Sequence, residues 1–286
     1  MELEYKSFGK LNLYLKVLSY DEERRLHKLS MINTEITLSD EIYLELDYPG
    51  KGLIKIDMIP GFEILKENNL IFKAVKLFMR ESRILFNTSF KVKKNIPPGS
   101  GLGGGSSNAS YTLLTLNKMF RKFSSSELKK LASLIGCDVA FFIHGGLCKA
   151  KGFGEIVEPL YVPDFKGYTF IVIIPPFSLS TKEVYEKYDI LREEKLLPPI
   201  NEDILLDGTF PIRNDLYEPA RLIRSGIEEI IYDLKKVDPV FSSMTGSGSG
   251  CFSIFKDYDK AFNAYSMFKK KYEKTYLLKP KLSKNI

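Results

Sequence analysis

The chain has 286 residues, 44% of them hydrophobic, which is enough for one large domain or two ordinary domains with substantial cores. Its net charge of +6 is a mild excess, much of it in lysines near the C-terminus, and a solvated face explains this charge more simply than a nucleic-acid surface. Two histidines exclude a site built from three or more of them, and the three cysteines lack the spacing of metal ligands.

The first part of the chain is predicted to be rich in strands. Alternating apolar residues predict strands over 2–20 (a pair or one bent strand), 31–48 and 52–58. Several strands before the first predicted helix, 69–82, favour an α+β domain over a doubly wound one. Lys10 and Asn12 lie two residues apart in the first strand and therefore point to the same face. A half-exposed strand with one polar side would show the same pattern.

A glycine-rich stretch, 97–108, lies between a predicted strand, 90–96, and a predicted helix, 109–120. Backbone N–H groups and the positive end of the helix dipole form an anion site at such a junction, and glycine lets those groups approach a phosphate closely. A flexible surface loop is the alternative. Two stiffening prolines and capping side chains at 106–108 argue against it.

The glycine-rich stretch does not match the common nucleotide-binding patterns. No lysine follows the glycines, which excludes the P-loop pattern. The dinucleotide pattern fits from Gly99 through Gly101 and Gly104, but it lacks a hydrophobic parallel strand and an acidic residue about twenty positions later. The sequence therefore indicates a phosphate site of another type.

The rest of the chain alternates between helices and strands. Ser124 and Glu127 have the spacing of a capping box, and Gly136 is expected to end the helix that follows. Asp138, a single acid in an apolar stretch, is either a helix cap or a functional carboxylate in a partly dry pocket. Further along, we expect a hairpin over 145–155, strands over 168–174, 251–255 and 275–282, and helices from Ser180, over 214–236 and over 257–272.

The cysteines and the hydropathy pattern indicate a cytoplasmic protein. Cys137, Cys148 and Cys251 are odd in number and have apolar neighbours, so they are interpreted as small core residues in a reducing compartment. The sequence shows no basic segment followed by an apolar leader, and no apolar run is long enough for a membrane span. We therefore expect a protein with no membrane partner and no nucleic-acid partner.

Three motifs occur in a characteristic order: residues 10–13, the glycine-rich stretch 97–108, and a second glycine cluster, 244–250. Together they resemble the GHMP kinases, small-molecule kinases named after galactokinase, homoserine kinase, mevalonate kinase and phosphomevalonate kinase. The resemblance implies a two-domain α+β fold, with an N-terminal half like a ribosomal protein domain and a ferredoxin-like C-terminal half. We divide the chain approximately into an ATP-binding domain, 1–160, and a substrate-side domain, 161–286.

Five segments resemble one branch of that family, which phosphorylates a diphosphocytidyl derivative of methylerythritol in the non-mevalonate route to isoprenoids. The segments cover 10–15, 101–109, 136–139, 152–155 and 214–219. The branch usually has Asp-Gly-Tyr-His in its first substrate loop. This chain has Arg24, Arg25, Leu26 and His27 there, so Leu26 replaces the tyrosine that stacks on cytosine. Other GHMP kinases, acting on homoserine, mevalonate or a sugar, are the alternative, and a nucleic-acid-binding module is a more distant one.

The resemblance implies a set of roles for individual residues. Asp138 would orient or deprotonate the acceptor hydroxyl, and Lys10 would position Asp138 and stabilise the transferred charge. ATP and Mg²⁺ are the implied cofactors, with Ser107 a candidate magnesium ligand. The residues expected to hold the ATP phosphates are Pro97, Pro98, Gly99, Ser100, Gly101, Leu102, Gly103, Gly104, Gly105, Ser106 and Ser107.

The same resemblance implies a small-molecule, cytidine diphosphate-linked substrate bound by a monomer or homodimer. The residues expected to contact it are Asn12, His27, Tyr185, Gly246, Ser247 and Gly248. His27 would bond the cytosine edge, and Tyr185 would lie against one face of the base. For the glycine cluster 246–250, a simple turn is the alternative to a site-closing loop.

Overall fold

Two β-sheets organise the part of the chain that the computed structural model describes, residues 1–61, 66–197, 204–206 and 210–282. The strands are β1 (Glu2–Asp21), β2 (Leu26–Asp47), β3 (Ile54–Ile59), β4 (Asn87–Lys93), β5 (Leu147–Gly152), β6 (Ile156–Pro159), β7 (Thr169–Ile174), β8 (Ile204–Leu206), β9 (Phe210–Asn214), β10 (Phe241–Met244), β11 (Cys251–Phe255), β12 (Lys274–Leu278) and β13 (Pro280–Lys281). The helices are α1 (Leu70–Ser82), α2 (Gly104–Phe120), α3 (Ser125–Ile135), α4 (Cys137–His144), α5 (Thr181–Glu193), α6 (Tyr217–Ile223), α7 (Gly226–Lys235) and α8 (Tyr258–Lys271).

The larger sheet is built on the long antiparallel pair β1 and β2. Its strand order is β3-β4-β2-β1-β9-β8; β5 and β13 also pair with β2, and β6 pairs with β5. The predicted N-terminal strands are confirmed, but 2–20 forms one continuous strand whose pairing shifts register between Asn12 and Tyr14. Such bulges re-aim side chains along a strand. In this register Lys10 lies opposite Glu35, and Asn12 lies opposite Asn33.

Helices α1 to α4 cover one face of this sheet through a shared hydrophobic core. The capping box of Ser124 and Glu127 is confirmed. Helix α2 starts at Gly104, earlier than the predicted 109, because Gly103 takes the N-cap position with a φ of 69°. Gly136 ends α3 and is also the N-cap of α4. Asp138 therefore lies in the first turn of α4, and its interpretation as a helix cap is wrong.

The smaller sheet has the strand order β10-β11-β7-β12, with every neighbouring pair antiparallel. This is the order of a ferredoxin-like fold, as expected. The single helix predicted over 214–236 is wrong. The chain forms α6 and α7 instead, because Arg224 is extended, with a φ of −141° and a ψ of 100°. The approximate division at residues 160 and 161 stays a prediction.

Two of the three cysteines lie in the core, as expected, and one does not. Cys148 and Cys251 are buried, and burial raises the pKa of the Cys251 thiol. Cys137 is exposed at the start of α4, so its assignment to the core is wrong. The apolar residues that follow it along α4, not the cysteine itself, face the core. Among the described helices, none has the length and apolar content needed to span a membrane.

Candidate active site

The glycine-rich stretch forms a wall between two cavities. A cavity of about 300 Å³ is lined by residues 97–106, and a larger cleft of about 920 Å³ lies beside it. Gly101, Gly103 and Ser106 line both spaces. A ligand group held against this wall can therefore be reached from either side.

The wall places backbone N–H groups at the N-terminus of α2. Gly99, Gly101 and Gly103 have positive φ values of 69°, 77° and 69°, a backbone form that gathers N–H groups into a concave anion site. The first turn of α2 contains no acidic residue, so the positive end of its dipole is not offset there. The local geometry fits a phosphate group.

Buried charges hold the start of this wall. The Asp40 carboxylate accepts hydrogen bonds from the backbone N–H groups of Asn95 and Ile96, each at 2.8 Å, and from the Asn108 amide at 2.8 Å. Lys94 Nζ pairs with Asp40 and also donates to Asn108 Oδ1 at 3.0 Å. Burial lowers the pKa of the Lys94 ammonium, and the neighbouring carboxylate opposes that shift. Lys94 also lines the smaller cavity.

The two predicted catalytic residues meet in the larger cleft. Lys10 Nζ lies 3.5 Å from Asp138 Oδ2, although the two residues come from β1 and α4. The Lys10 side chain is 5% exposed, whereas that of Asp138 is 35% exposed, so the carboxylate is the partner open to a ligand. The Lys10 backbone N–H also donates to Leu102 O at 2.9 Å, which ties β1 to the glycine wall.

Asn12 is fully engaged by protein groups. Its Oδ1 accepts from Lys10 Nζ, and its Nδ2 donates to Asn33 Oδ1 at 2.6 Å. Its backbone N–H donates to Thr245 Oγ1 at 3.0 Å. Asn12 lines the larger cleft, but in this state its side chain holds Lys10 in place. A direct contact to substrate, as predicted, would require Asn12 to share or exchange these partners.

His27 lies in an aromatic cluster at the other end of the larger cleft. Its Nε2 lies 2.8 Å from Asp189 Oδ1, and its ring stacks on Tyr185 with centroids 5.1 Å apart. The rings of Tyr20 and Tyr188 meet it edge-on. Tyr185 is therefore brought to the cleft as predicted, with one ring face against the histidine. Burial raises the pKa of the Tyr185 phenol, and the nearby Asp138 carboxylate adds a smaller effect in the same direction.

Leu26, which stands where the family branch usually has a tyrosine, is open to the cleft. Leu26 is 48% exposed and lines the cleft beside Tyr20 and Phe153. The Arg24 guanidinium lies over the Phe153 ring, 4.8 Å from its centroid. Aromatic surface is thus present near Leu26 even though the usual tyrosine is absent.

The second glycine cluster contributes to the lining of the larger cleft. Gly246 and Ser247 line the larger cleft, whereas Gly248 is not among its lining residues. Ser247 Oγ lies 2.9 Å from Thr181 Oγ1, and Asn214 Nδ2 donates to Gly246 O at 2.9 Å. The cluster is therefore a fixed wall of the cleft, which a simple surface turn would not be.

Ser107 stands apart from the other residues of its stretch. It is fully buried at the first turn of α2, lines neither cavity, and its hydroxyl has no hydrogen-bond partner. A hydroxyl is an oxygen ligand of the kind that Mg²⁺ prefers, but unlike residues 97–106 Ser107 is not brought to the cavity wall. Within the described ranges, no group of three or more His, Cys, Asp or Glu could hold a metal ion by itself.

Several residues of the site were not predicted as functional. They are Asn33, Asp40, Lys94, Asp189 and Thr245. Lys94 lies three residues before the glycine-rich stretch and Thr245 lies within the second cluster, so proximity to a motif was an available signal for these two. Asn33, Asp40 and Asp189 lie among other polar residues of β2 and α5, and the sequence offers no signal that singles them out.

Comparisons with known proteins agree with this geometry. Residues 69–146 match the family described as GHMP kinases N terminal domain, and residues 211–274 match GHMP kinases C terminal. A protein of Prochlorococcus marinus (strain MIT 9301) named 4-diphosphocytidyl-2-C-methyl-D-erythritol kinase is 35% identical over 277 residues, 91% of this chain and 88% of its own length. A protein of Clostridium novyi (strain NT) with the same name is 34% identical over 280 residues, 96% of this chain and 98% of its own.

Solved structures show the same arrangement of the whole chain. One described as the crystal structure of 4-(cytidine 5'-diphospho)-2C-methyl-D-erythritol kinase has a TM-score of 0.79 and 25% identity, covering 98% of this chain and 100% of the other. A homoserine kinase from Cytophaga hutchinsonii ATCC 33406, with a TM-score of 0.70 and 14% identity over 98% and 96% of the two chains, shares the fold. From the matched domains and these relatives, the chain belongs to the GHMP kinase family.

Proposed function

We propose that this kinase transfers the γ-phosphoryl group of ATP to the 2-hydroxyl of 4-diphosphocytidyl-2-C-methyl-D-erythritol. The observation that carries the proposal is the Lys10–Asp138 pair, which lies in the larger cleft on one side of the glycine wall while the smaller cavity lies on the other. Curated relatives that match over nine-tenths of this chain bear the name of that enzyme. The alcohol and the nucleotide would thus meet across Gly101, Gly103 and Ser106.

Asp138 is the group proposed to act on the acceptor hydroxyl. Its carboxylate is partly open to the cleft and would accept the hydroxyl hydrogen, which orients the oxygen toward the phosphorus and can take its proton. The Lys10 ammonium, 3.5 Å away, holds this carboxylate in place. The same cation stabilises negative charge on the group in transfer.

The glycine wall is proposed to hold the ATP phosphates. Its N–H groups and the N-terminus of α2 supply positive potential without moving during the reaction, and such preorganised donors contribute most of the electrostatic stabilisation in phosphoryl transfer. Mg²⁺, when bound, would neutralise charge on the phosphate oxygens. Ser107, the candidate from the sequence, is fully buried and lines neither cavity, so it would have to be uncovered to reach the ion, whereas Lys94 places its ammonium at the edge of the nucleotide cavity.

The cytidine end of the substrate is proposed to lie against the aromatic cluster around His27. Because Asp189 occupies His27 Nε2, the Nδ1 atom is the one left for a hydrogen bond to the base. Tyr20 and Phe153 flank Leu26 and offer ring surface where the family branch usually has a tyrosine. The specificity for cytosine would then depend on a hydrogen bond from His27 and on ring contacts from Tyr20 and Phe153.

The test is ADP release by the purified protein with ATP and Mg²⁺, with and without the diphosphocytidyl substrate. Homoserine, mevalonate and a sugar serve as alternative acceptors. Of the four acceptors, we expect only the diphosphocytidyl substrate to support ADP release. Asp138→Asn should lower kcat by roughly 10²- to 10⁴-fold. Asp57→Asn removes an exposed carboxylate on β3, paired with Lys55, and should leave kcat unchanged. Preference for another acceptor, or full activity of Asp138→Asn, would refute the proposal.

A further inference from the structure

Thr245 is a buried residue at the start of the second glycine cluster, and its hydroxyl points at β1. The residue is completely inaccessible to solvent. Its Oγ1 accepts the Asn12 backbone N–H at 3.0 Å and lies 3.4 Å from Asn12 Oδ1, to which it donates. A single side chain of the C-terminal half therefore contacts both the main chain and the amide of Asn12.

Those contacts continue to the catalytic pair. The Asn12 amide has a fixed orientation, because its Nδ2 is held by Asn33 Oδ1 at 2.6 Å and its Oδ1 consequently faces Lys10 and Thr245. Lys10 Nζ bonds that same Oδ1 and lies 3.5 Å from Asp138 Oδ2. A continuous chain of polar contacts thus runs from the threonine hydroxyl to the carboxylate of Asp138.

The main chain of Thr245 is fixed by both glycine loops. Its N–H donates to Gly250 O at 2.9 Å, and its carbonyl accepts from Gly248 N at 3.0 Å. That carbonyl also packs against Gly101, where a Cβ atom would lie only 2.6 Å away. Gly250 N donates in turn to Ser100 O at 3.1 Å. The threonine hydroxyl is therefore held in register with the proposed phosphate wall.

We propose that Thr245 is a positioning residue that sets the Lys10 ammonium against Asp138 through Asn12. This inference rests on the proposed function, because it assigns Lys10 and Asp138 to the transfer step. Thr245 lines neither of the two cavities proposed to hold ATP and the acceptor. Loss of its hydroxyl therefore slows phosphoryl transfer without weakening the binding of either ligand. The hydroxyl, not the methyl group, is the part of the side chain that matters.

The experiment compares Thr245→Val, which keeps the shape and removes the hydroxyl, with Thr245→Ser, which keeps the hydroxyl. We expect the valine variant to lose about tenfold to a hundredfold in kcat, because Lys10 is then no longer held against Asp138 in the transition state, with both KM values changed less than about twofold. The serine variant should retain kcat within about threefold. In an Asn12→Ala background, Thr245→Val should cause no further loss, since the connection is already broken.

Thr275→Val is the matched control. Thr275 is 2% exposed and donates to Tyr272 O at 2.7 Å in the C-terminal half, so the substitution also removes a buried threonine hydroxyl, but far from the cleft. It should leave kcat unchanged. If Thr245→Val does not fold, as judged by circular dichroism, Thr245→Ala provides the same comparison. An unchanged kcat, or equal losses in the serine and valine variants, would overturn the proposal.

A crystal structure of Thr245→Val separates this inference from the proposed function. We expect Lys10 Nζ to leave its position 3.5 Å from Asp138 Oδ2. An unchanged pair would overturn the positioning role, whatever the substrate is. If the wild-type protein releases no ADP with the diphosphocytidyl substrate, the proposed function fails, and a displaced Lys10 in the variant still supports the connection through Asn12.

Discussion

Two adjacent ion pairs join β2 to the start of the glycine wall, and they differ mainly in burial. Asp40 pairs with Lys94, and their side chains are 0% and 7% exposed. Glu41 pairs with Lys93 at 3.1 Å, and their side chains are 24% and 53% exposed. Both pairs connect β2 to the consecutive residues Lys93 and Lys94. Asp40→Asn and Glu41→Gln, which each remove one carboxylate charge, therefore form a matched comparison.

We expect Asp40→Asn to lower the free energy of unfolding by about 3–5 kcal/mol, the usual cost of breaking a buried ion pair by removing one partner. An asparagine Oδ1 could still accept the N–H groups of Asn95 and Ile96, which the carboxylate holds at 2.8 Å. Its Nδ2, however, would face two further donors, Lys94 Nζ and the Asn108 amide. The loss therefore comes chiefly from an uncompensated buried ammonium. Glu41→Gln should cost only a small fraction of this, since exposed pairs are screened by water.

Urea unfolding at pH 7 and 25 °C measures both variants, and equal m-values would show that the midpoints report stability. Adding Lys94→Met to Asp40→Asn should recover part of the loss, because the orphaned charge is then removed. The KM for ATP should rise in Asp40→Asn and remain normal in Glu41→Gln, since Asp40 holds the start of the wall. Equal stability losses in the two single variants, or a further loss on adding Lys94→Met, would refute this reasoning.

Two further predictions concern other carboxylates. Asp189→Asn removes the negative partner of His27, 2.8 Å away, and should raise the KM for the diphosphocytidyl substrate about tenfold at unchanged kcat in steady-state assays. The hydrogen bond from Lys271 lowers the pKa of Asp233 to about 2 in the folded protein. The ionised carboxylate therefore contributes fully to the free energy of unfolding above its ordinary pKa, and this contribution is lost as the pH falls towards 2. In urea unfolding, the difference in free energy of unfolding between wild type and Asp233→Asn should therefore become smaller from pH 5 to pH 3. A difference that stays constant would contradict this prediction.

The features that the sequence predicted well are local ones. Helix α1 follows from apolar periodicity, and the start of α3 follows from the side chains of Ser124 and Glu127. Lys10 and Asn12 share a face because the side chains of a strand alternate. In each case, residues within a few positions of one another determine the structure. Such interactions can be recognised without knowing how the rest of the chain packs.

The features that were missed depend on packing between distant segments. Thr245 meets Asn12 across 233 positions, and His27 meets Asp189 across 162. No local pattern distinguishes Asp189 from the other charged residues of α5. The predicted helix over 214–236 was wrong at Arg224, whose extended backbone separates α6 from α7.

The two glycine clusters, 97–108 and 244–250, cross each other with their backbones in close contact. A Cβ atom on Gly101 would lie 2.6 Å from the carbonyl oxygen of Thr245, and one on Gly250 would lie 2.6 Å from that of Ser100. Both distances are too short for a side chain, so each loop requires glycine where the backbone of the other crosses it. The proposed phosphate binding is therefore only one of two reasons for the glycines. The second is close contact between the loops, and this contact is incompatible with a pair of flexible surface loops.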